Sequence, residues 1–254
     1  MSIEFLTNYP ALYISDIKSI VISDLHIGLE HELYSKGIII PPQADKFQKI
    51  LEKLGKQTMA ESLIIIGDLK YEVPGISHRE MKEIPKFLEK LKEKFKIIIA
   101  KGNHDTGLEE IVPIGIKIYS ARGFKVKNYG FFHGHAWPSK KLIQSDYLFM
   151  GHIQPAIEVK DKFGHRSVHP VWLIAKLNKE KIKKKYQAKK VGKLVLIILP
   201  SFNHLSGYYI LNKNEKQKLI GPFFSNEMVN LEESKVYFLD GTYLGKLKNL
   251  KNKN

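Results

Sequence analysis

The chain has 254 residues, of which 43% are hydrophobic, an ordinary fraction for a globular protein with a substantial core. It contains no cysteine, which excludes disulfides, thiolate zinc sites and cysteine nucleophiles, so any metal must be held by His, Asp, Glu, Asn or Gln. The formal net charge of +15 suits an anionic partner such as nucleic acid, although a lysine-rich proteome explains such a charge equally well.

Three short apolar runs rich in β-branched residues lie in the first part of the chain, at residues 19–23, 63–66 and 96–100. Such runs are typical of strands that are buried on both faces. Between them, residues 43–57 and 77–94 repeat apolar side chains at three- and four-residue spacing, which predicts two amphipathic helices. The alternation of strand and helix predicts a parallel sheet.

The pattern changes after Val112 to short strands with short connections that contain Gly, Asn or Pro. These strands are predicted at residues 115–119, 124–126, 130–133, 147–151, 153–159 and 167–175. They indicate a second sheet with hairpins. We therefore expect an α/β fold in which two sheets pack face to face and are flanked by helices.

The rest of the chain is expected to belong to the same domain, which spans residues 1–254. Residues 176–193 contain nine lysines and one glutamate, which predicts a protruding, solvated insertion at about 177–193. The Asp240-Gly241 pair, flanked by apolar residues, predicts a C-terminal hairpin at about 235–247.

The sequence also predicts where the protein is found. Its most apolar run, residues 194–199, is far shorter than the ~18 residues of a membrane span, and residues 1–10 lack a signal-like pattern. We therefore expect a soluble cytoplasmic protein with no membrane partner. The oligomeric state is left open.

Acidic, amide and histidine side chains follow the predicted strands directly. Asp24 and His26 come after the first strand, Asp68 after the second, and residues 103–105 after the third. The carboxyl ends of parallel strands open on one edge of a sheet, where ligands bind, so these side chains are expected to converge. The sequence thus predicts a polar site at this edge.

We expect this site to hold two divalent cations. Asp24 and His26 supply two ligands to one cation, and Asp68 is placed to bridge both. The second cation is completed by Asn103, His133 and His152. Two cations ~3.5–4 Å apart lower the pKa of a bridging water and clamp the attacking and leaving oxygens during displacement at phosphorus.

Three further residues have predicted roles in the reaction. His104, followed at once by Asp105, predicts an imidazole that is held by a carboxylate and protonates the leaving alkoxide. His135 is expected to contact a phosphate oxygen. Each motif alone is commonplace, and the glycines within them are ordinarily turn residues, but their shared position at strand ends indicates a metal site.

Together these motifs resemble those of the calcineurin-like metallophosphoesterases over about residues 20–154. The motifs are Asp24-Leu25-His26, Gly67-Asp68, Gly102-Asn103-His104-Asp105, His133-Gly134-His135 and Gly151-His152. Residues 22–30 and 199–203, among others, are similar to a branch of archaeal and bacterial phosphoesterases that includes a DNA-ligase-associated repair enzyme. The resemblance implies a four-layer α/β/β/α sandwich and supports the ligand and acid roles given above.

Four polar residues lie within the motifs of this narrower branch, namely Glu30, Lys70, Glu72 and Asn203. They are either pocket-lining groups, with Asn203 as a substrate contact, or ordinary turn caps and surface charges. The sequence does not decide between these two interpretations.

The chain departs from the family where the motif Gly-His-x-His becomes Gly151-His152-Ile153-Gln154. The amide oxygen of Gln154 is a weaker and harder ligand than an imidazole. We therefore expect lower affinity for the first cation, or a shift from zinc toward manganese, magnesium or iron. His165 or His169 is a candidate substitute, with a solvent-facing strand position as the alternative.

The sequence therefore predicts a phosphoesterase that hydrolyses a phosphodiester in DNA, RNA or a small molecule by attack of a metal-bridging hydroxide. Its expected cofactors are two divalent ions, manganese first, with iron, zinc or magnesium as alternatives. Two other functions stay open. One is a degenerate, weakly active member that mainly binds nucleic acid, and the other is a phosphomonoesterase.

Overall fold

A computed structural model describes residues 2–213 and 219–251 of the chain. Its first sheet has six strands in the order β1 to β6. They are β1 (Ile3–Phe5), β2 (Leu12–Ile14), β3 (Ser19–Ile22), β4 (Ser62–Ile66), β5 (Lys96–Ala100) and β6 (Lys117–Tyr119). Strands β3 to β5 are parallel, as predicted, whereas β1 and β2 extend the sheet in antiparallel pairing. The strand predicted at residues 115–119 was expected in the second sheet, but β6 pairs in parallel with β5 of the first sheet.

Two amphipathic helices cover the outer face of this sheet. The helices before the second sheet are α1 (Leu29–Ser35), α2 (Ala44–Thr58) and α3 (Glu80–Lys92). In β4, Leu63 and Ile65 pack toward α2 and α3, while Ile64 and Ile66 point to the opposite face. This alternation follows from the two-residue period of a strand, and it lets one strand serve two core layers.

The second sheet has nine strands in the described residues and is mixed. They are β7 (Phe124–Val126), β8 (Tyr129–Phe132), β9 (Tyr147–Met150), β10 (Pro155–Lys160), β11 (Arg166–Lys176), β12 (Val195–Ile198), β13 (Tyr209–Ile210), β14 (Lys235–Phe238) and β15 (Tyr243–Lys246). Hairpins join β7 to β8, β10 to β11 and β14 to β15, but β8, β9 and β12 are parallel.

The two sheets pack face to face through large apolar side chains. Phe131, Phe149 and Trp172 of the second sheet meet Ile64 and Ile66 of the first. The outer face of the second sheet is covered by α4 (Lys179–Tyr186), α5 (Pro222–Ser225) and neighbouring loops. The predicted four-layer sandwich is therefore confirmed. Each helix in the described ranges is too short or too polar to cross a bilayer.

The carboxyl ends of strands from both sheets meet on one side of the sandwich. In the first sheet, the amide of Asp24 donates to the carbonyl of Gly67 (3.1 Å). In the second, the amide of Gly151 donates to the carbonyl of His133 (3.0 Å). The amide of His152 lies 3.3 Å from both carboxylate oxygens of Asp24, so the two edges share one site.

Candidate active site

Two groups of potential metal ligands lie at this shared edge, and both contain Asp68. One group consists of His26, Asp68 and His104, and the other of Asp68, His133 and His152. Within each group the ligand atoms lie within 4.8 Å of one another. The geometry therefore places Asp68 between two clusters of nitrogen and oxygen donors.

Asp68 is held between these clusters by the loop after β5. Its Oδ1 accepts a hydrogen bond from the amide of His104 (2.9 Å), and its Oδ2 lies 3.2 Å from His133 Nε2 and 3.8 Å from His26 Nε2. A Cβ at Gly102 would lie 2.1 Å from Asp68 Oδ1. Only glycine fits there, because any side chain would displace the carboxylate.

His133 gives the clearest indication of a cation. Its Nδ1 donates to the carbonyl of Ile66 (2.9 Å), which fixes the tautomer and leaves the Nε2 lone pair facing Asp68 Oδ2. Because unprotonated His133 Nε2 and Asp68 Oδ2 are both acceptors, a positive charge must lie between these two atoms or on the imidazole. Burial alone would lower the pKa of His133, but Asp68 outweighs it and raises the pKa to about 10.

A divalent cation can take the place of that proton, because metal binding and protonation compete for the same lone pair. In the described part of the chain, His133 Nε2 is a buried atom without a hydrogen-bond partner. Burial would raise the pKa of Asp68, yet His133 holds it below its ordinary value, so this carboxylate is ionised. These donors fit a divalent metal ion.

The backbone of the site is strained. Twelve non-glycine residues in the described ranges have a positive φ angle, and five of them belong to the predicted site: Asp24, His26, Asp68, His152 and Gln154. The left-handed conformation costs ~1–3 kcal/mol for such a residue and persists only where its surroundings enforce it. The fold thus enforces an unusual backbone conformation at these five residues. This conformation turns their side chains toward the same site.

The group with His26 and His104 forms the first half of the centre, and the group with His133 and His152 forms the second half. Asp24 and His26 lie side by side in the first half. Asp24 is fully buried, its Oδ2 accepts from the hydroxyl of Ser23 (2.5 Å), and its Oδ1 lies 4.0 Å from His26 Nε2. Burial raises the pKa of Asp24 to about 6 and lowers that of His26 to about 4. Asp24 is not a member of either ligand group, but its Oδ1 lies beside His26 of the first one.

Gln154 is bonded differently from the prediction. Its amide nitrogen lies 2.9 Å from His26 Nε2, and its amide oxygen accepts from the hydroxyl of Ser206 (2.8 Å). The oxygen that was expected to bind metal thus faces a serine instead. His165 is exposed, and His169 contacts Ser167 and Phe238, so neither predicted substitute belongs to the two ligand groups.

His104 is held by a carbonyl, so the predicted pairing with Asp105 is wrong. His104 Nδ1 lies 2.5 Å from the carbonyl oxygen of Tyr71, which leaves Nε2 available to the site. Asp105 is fully buried and accepts from the amides of Leu69 (2.9 Å) and Gly102 (2.7 Å). The Asp105 carboxylate thus links the loop after β4 to the loop after β5. It does so by accepting from amides that have no partner in a strand.

The remaining predicted residues differ in their exposure to solvent. Asn103 is exposed, between two residues that contact Asp68. The His135 ring is half-buried, 5.4 Å from the His133 ring and 5.9 Å from the His152 ring. Burial, with the charge of His133, lowers the pKa of His135 to about 4 and that of His152 to about 3.

Asn203 has a structural role rather than the predicted substrate contact. It is fully buried, and its amide donates to the carbonyl of Leu25 (2.9 Å) and accepts from the amide of Leu205 (3.0 Å). Lys70 is also buried, and its amine donates to the carbonyls of Glu72 and Gly75. These polar groups shape the loops around the centre.

Two residues near the centre were missed by the sequence analysis. The Tyr71 ring stacks beside His104 at 5.8 Å, and it lines a pocket of about 490 Å³ with His104, His31 and Glu32. Ser206 fixes the Gln154 amide. Tyr71 lies between Lys70 and Glu72, which belong to the motifs of the narrower branch, whereas Ser206 carries no recognisable signal.

Comparisons with known proteins agree with this geometry. A family model of calcineurin-like phosphoesterases matches residues 17–220, so the chain belongs to that family of metal-dependent hydrolases. Nuclease MPE of Pseudomonas putida has the same fold, with 16% identity, a TM-score of 0.55 and coverage of 91% of this chain and 89% of that chain.

The E. coli phosphoesterase YfcE is also similar in structure, with 15% identity, a TM-score of 0.42 and coverage of 90% of this chain and 97% of that chain. A search of curated proteins found no match.

Proposed function

We propose that this protein is a metal-dependent phosphodiesterase with two divalent cations, one on each side of Asp68. The observation that supports this most strongly is the sharing of Asp68 by two groups of ligand atoms. Asp24 and His26 would hold one cation, and Asn103, His133 and His152 the other. When bound, the cations would lower the pKa of a water between them and neutralise charge on the phosphoryl oxygens.

His104 is the general acid in this proposal. Its Nδ1–H is bound to the carbonyl of Tyr71, so the orientation of the ring is fixed. Nε2 can then carry a proton to the leaving alkoxide. His135, whose ring lies 5.4 Å from that of His133, would donate to a phosphate oxygen.

A phosphodiester is favoured over a phosphomonoester by the net charge of +15, which suits a polyanionic substrate. The occurrence of the same fold in a nuclease supports this choice. The physiological metal is expected to be manganese, because the amide at Gln154 replaces the imidazole that zinc would prefer.

The test is a hydrolysis assay on protein that has been stripped with a chelator and reloaded with manganese, magnesium or zinc. We expect bis-p-nitrophenyl phosphate to be cleaved with manganese, at a higher kcat/KM than p-nitrophenyl phosphate. Hydrolysis of neither compound with any of the metals would contradict the proposal. A clear preference for the monoester would instead identify a phosphomonoesterase.

A second candidate is a weakly active member that mainly binds nucleic acid. It is supported by the contact between the Gln154 amide nitrogen and His26 Nε2, since this contact occupies the lone pair that a first cation needs. This candidate predicts oligonucleotide binding that is unchanged by chelation, together with at most weak manganese-dependent turnover. Efficient turnover in reloaded protein would exclude it.

A further inference from the structure

Helix α4, which carries five of the nine lysines at residues 176–193, is attached to the loop that bears His135. The amine of Lys185 lies 4.4 Å over the ring of Trp137, and the rings of Tyr186 and Trp137 meet at 6.2 Å. The hydroxyl of Tyr186 donates to the carbonyl of Pro138 (2.7 Å). The last turn of α4 therefore packs on residues that directly follow a predicted phosphate contact.

The other end of α4 is also fixed. The side chain of Asn178 caps the helix by accepting from the amide of Lys181, and Lys181 forms an ion pair with Glu227 (2.8 Å). Ile182 is fully buried in the core of the outer layer. Lys184 and Lys185 are thus presented by an ordered helix, and Lys189 and Lys190 follow it within four residues of its end.

Most of these lysines have no local counter-charge. Glu180 pairs with Lys183 (2.8 Å) and Glu227 with Lys181. Seven others are exposed and, within the described ranges, form no ion pair: Lys176, Lys179, Lys184, Lys185, Lys189, Lys190 and Lys193. Such a concentration of unpaired charge repels itself, and an anionic partner would relieve that repulsion.

Two further lysines follow the loop on which α4 packs. Lys140 and Lys141, on the segment that follows Trp137, are exposed as well. Trp137 lies two residues from His135, which corresponds to at most ~7 Å of chain. An eight-residue helix such as α4 is ~12 Å long, which is about the rise of three to four nucleotides in one strand of a duplex.

We infer that this surface, the basic track, binds the sugar-phosphate backbone of a nucleic-acid strand whose scissile phosphate lies at the metal centre. The basic track consists of Lys140, Lys141, Lys184, Lys185, Lys189 and Lys190. The inference rests on the proposed phosphodiesterase function. A polynucleotide fits better than an acidic protein, because α4 packs on the loop that bears a predicted phosphate contact and the charges of the track are lysine ammonium groups that neutralise phosphates one by one.

The net charge has two explanations, an anionic partner and a lysine-rich proteome, and the basic track allows them to be distinguished. A lysine-rich proteome would distribute unpaired lysines over the whole surface, and substitution at any of them would weaken nucleic-acid binding equally. The basic track instead predicts that position matters. It also predicts little dependence on base sequence, since ammonium-phosphate contacts do not read bases.

The experiment compares two variants with the same loss of charge. The track variant carries Lys184→Gln, Lys185→Gln, Lys189→Gln and Lys190→Gln. The control variant carries Lys49→Gln, Lys56→Gln, Lys94→Gln and Lys96→Gln, which are exposed lysines on α2 and at the amino end of β5. Thermal melting and circular dichroism establish that both variants are folded.

Binding of a fluorescent 12-nucleotide single strand is measured by anisotropy on chelator-treated protein, so that the result does not depend on turnover. We expect the track variant to bind at least about tenfold more weakly, and the slope of log K against log salt to fall by ~0.7 for each lysine that contacts a phosphate. The control variant is expected to bind like the wild type.

In manganese-loaded protein, the ratio of kcat/KM on the 12-mer to kcat/KM on bis-p-nitrophenyl phosphate should fall about tenfold in the track variant only. Equal losses in both variants would overturn the inference, because net charge alone would then set affinity. Effective competition by polyglutamate at equal charge concentration would overturn it too. If no preparation hydrolyses the small diester, the proposed function fails, while anisotropy still decides where nucleic acid binds.

Discussion

The two halves of the centre lie at the same edge of the sandwich, but their side chains are engaged differently. On the second half, His133 is anchored through Nδ1 to a backbone carbonyl, so its Nε2 is directed at Asp68. On the first half, His26 Nε2 already contacts the amide nitrogen of Gln154. The second half therefore presents the Nε2 lone pair of His133 to a cation. In the first half, the Nε2 lone pair of His26 is already occupied by the contact with Gln154.

This difference implies unequal affinities. A cation at the second half replaces a proton and leaves the surrounding contacts intact. A cation at the first half requires the Gln154 amide to turn over, and the Ser206 hydroxyl must then accept from the amide nitrogen instead of donating to the oxygen. We therefore expect tighter binding at the His133 and His152 side.

The largest effect is expected from Asp68→Asn, because Asp68 belongs to both halves. Loss of its charge should lower kcat/KM for bis-p-nitrophenyl phosphate at least about a thousandfold, equivalent to ~4 kcal/mol of transition-state stabilisation. Steady-state kinetics and metal analysis by mass spectrometry measure both consequences. Asp45→Asn, at an exposed carboxylate on α2, is the matched control. Full activity in folded Asp68→Asn protein would disprove a shared bridging role.

The next effect concerns His104, which lies in the first ligand group but is proposed as an acid. His104→Gln should reduce kcat ~10²–10⁴-fold on a dinucleotide, whose alkoxide leaving group needs a proton. The loss should be much smaller on bis-p-nitrophenyl phosphate, because nitrophenolate leaves without protonation. The variant should retain the wild-type manganese content, and His78→Gln, at an exposed histidine, is the control. A similar loss on both substrates, with loss of metal, would make His104 a ligand instead.

Gln154→His tests the asymmetry directly. An imidazole at this position would restore the ligand type that the family pattern has, and it should raise first-site affinity for manganese or zinc about tenfold. Isothermal calorimetry measures the change. Gln57→His, at an exposed position on α2, is the control. Unchanged affinity would mean that residue 154 does not face the cation.

A smaller effect is expected from Ser206→Ala. The hydroxyl makes one hydrogen bond to the Gln154 amide, and such a bond contributes ~1 kcal/mol, or about fivefold in an equilibrium constant. We expect the first-site affinity to change by about that factor while the second-site affinity stays constant. Calorimetric titration measures both, with Ser225→Ala, at an exposed serine, as the control. An equal change at both sites would show a general effect on the fold.

The sequence predicted the ligand-bearing strands well because β-branched runs and strand-end polar residues are local patterns. The bounds of β3, β4 and β5 were predicted to within one residue. The antiparallel β1 and β2 were not predicted, since three-residue strands carry too little periodicity. The parallel pairing of β8, β9 and β12 was also missed, because pairing partners far apart in the chain leave no local trace.

Within the site, sequence could identify donor types but not their contacts. Asp105 follows His104 in the chain, yet its carboxylate turns to the amides of Leu69 and Gly102. Asn203 lies in a recognisable motif, but its side-chain amide is hydrogen-bonded to backbone groups. Such outcomes depend on which amides the folded loops leave unpaired. That information exists only in three dimensions.

The most direct test of the account is a calorimetric titration of manganese into chelator-treated protein, with hydrolysis of bis-p-nitrophenyl phosphate followed in parallel. We predict two binding events of different affinity, with activity rising as the weaker one fills. His152→Ala should remove the tighter event and His26→Ala the weaker one. A single binding event whose occupancy alone accounts for full activity would contradict the two-cation centre.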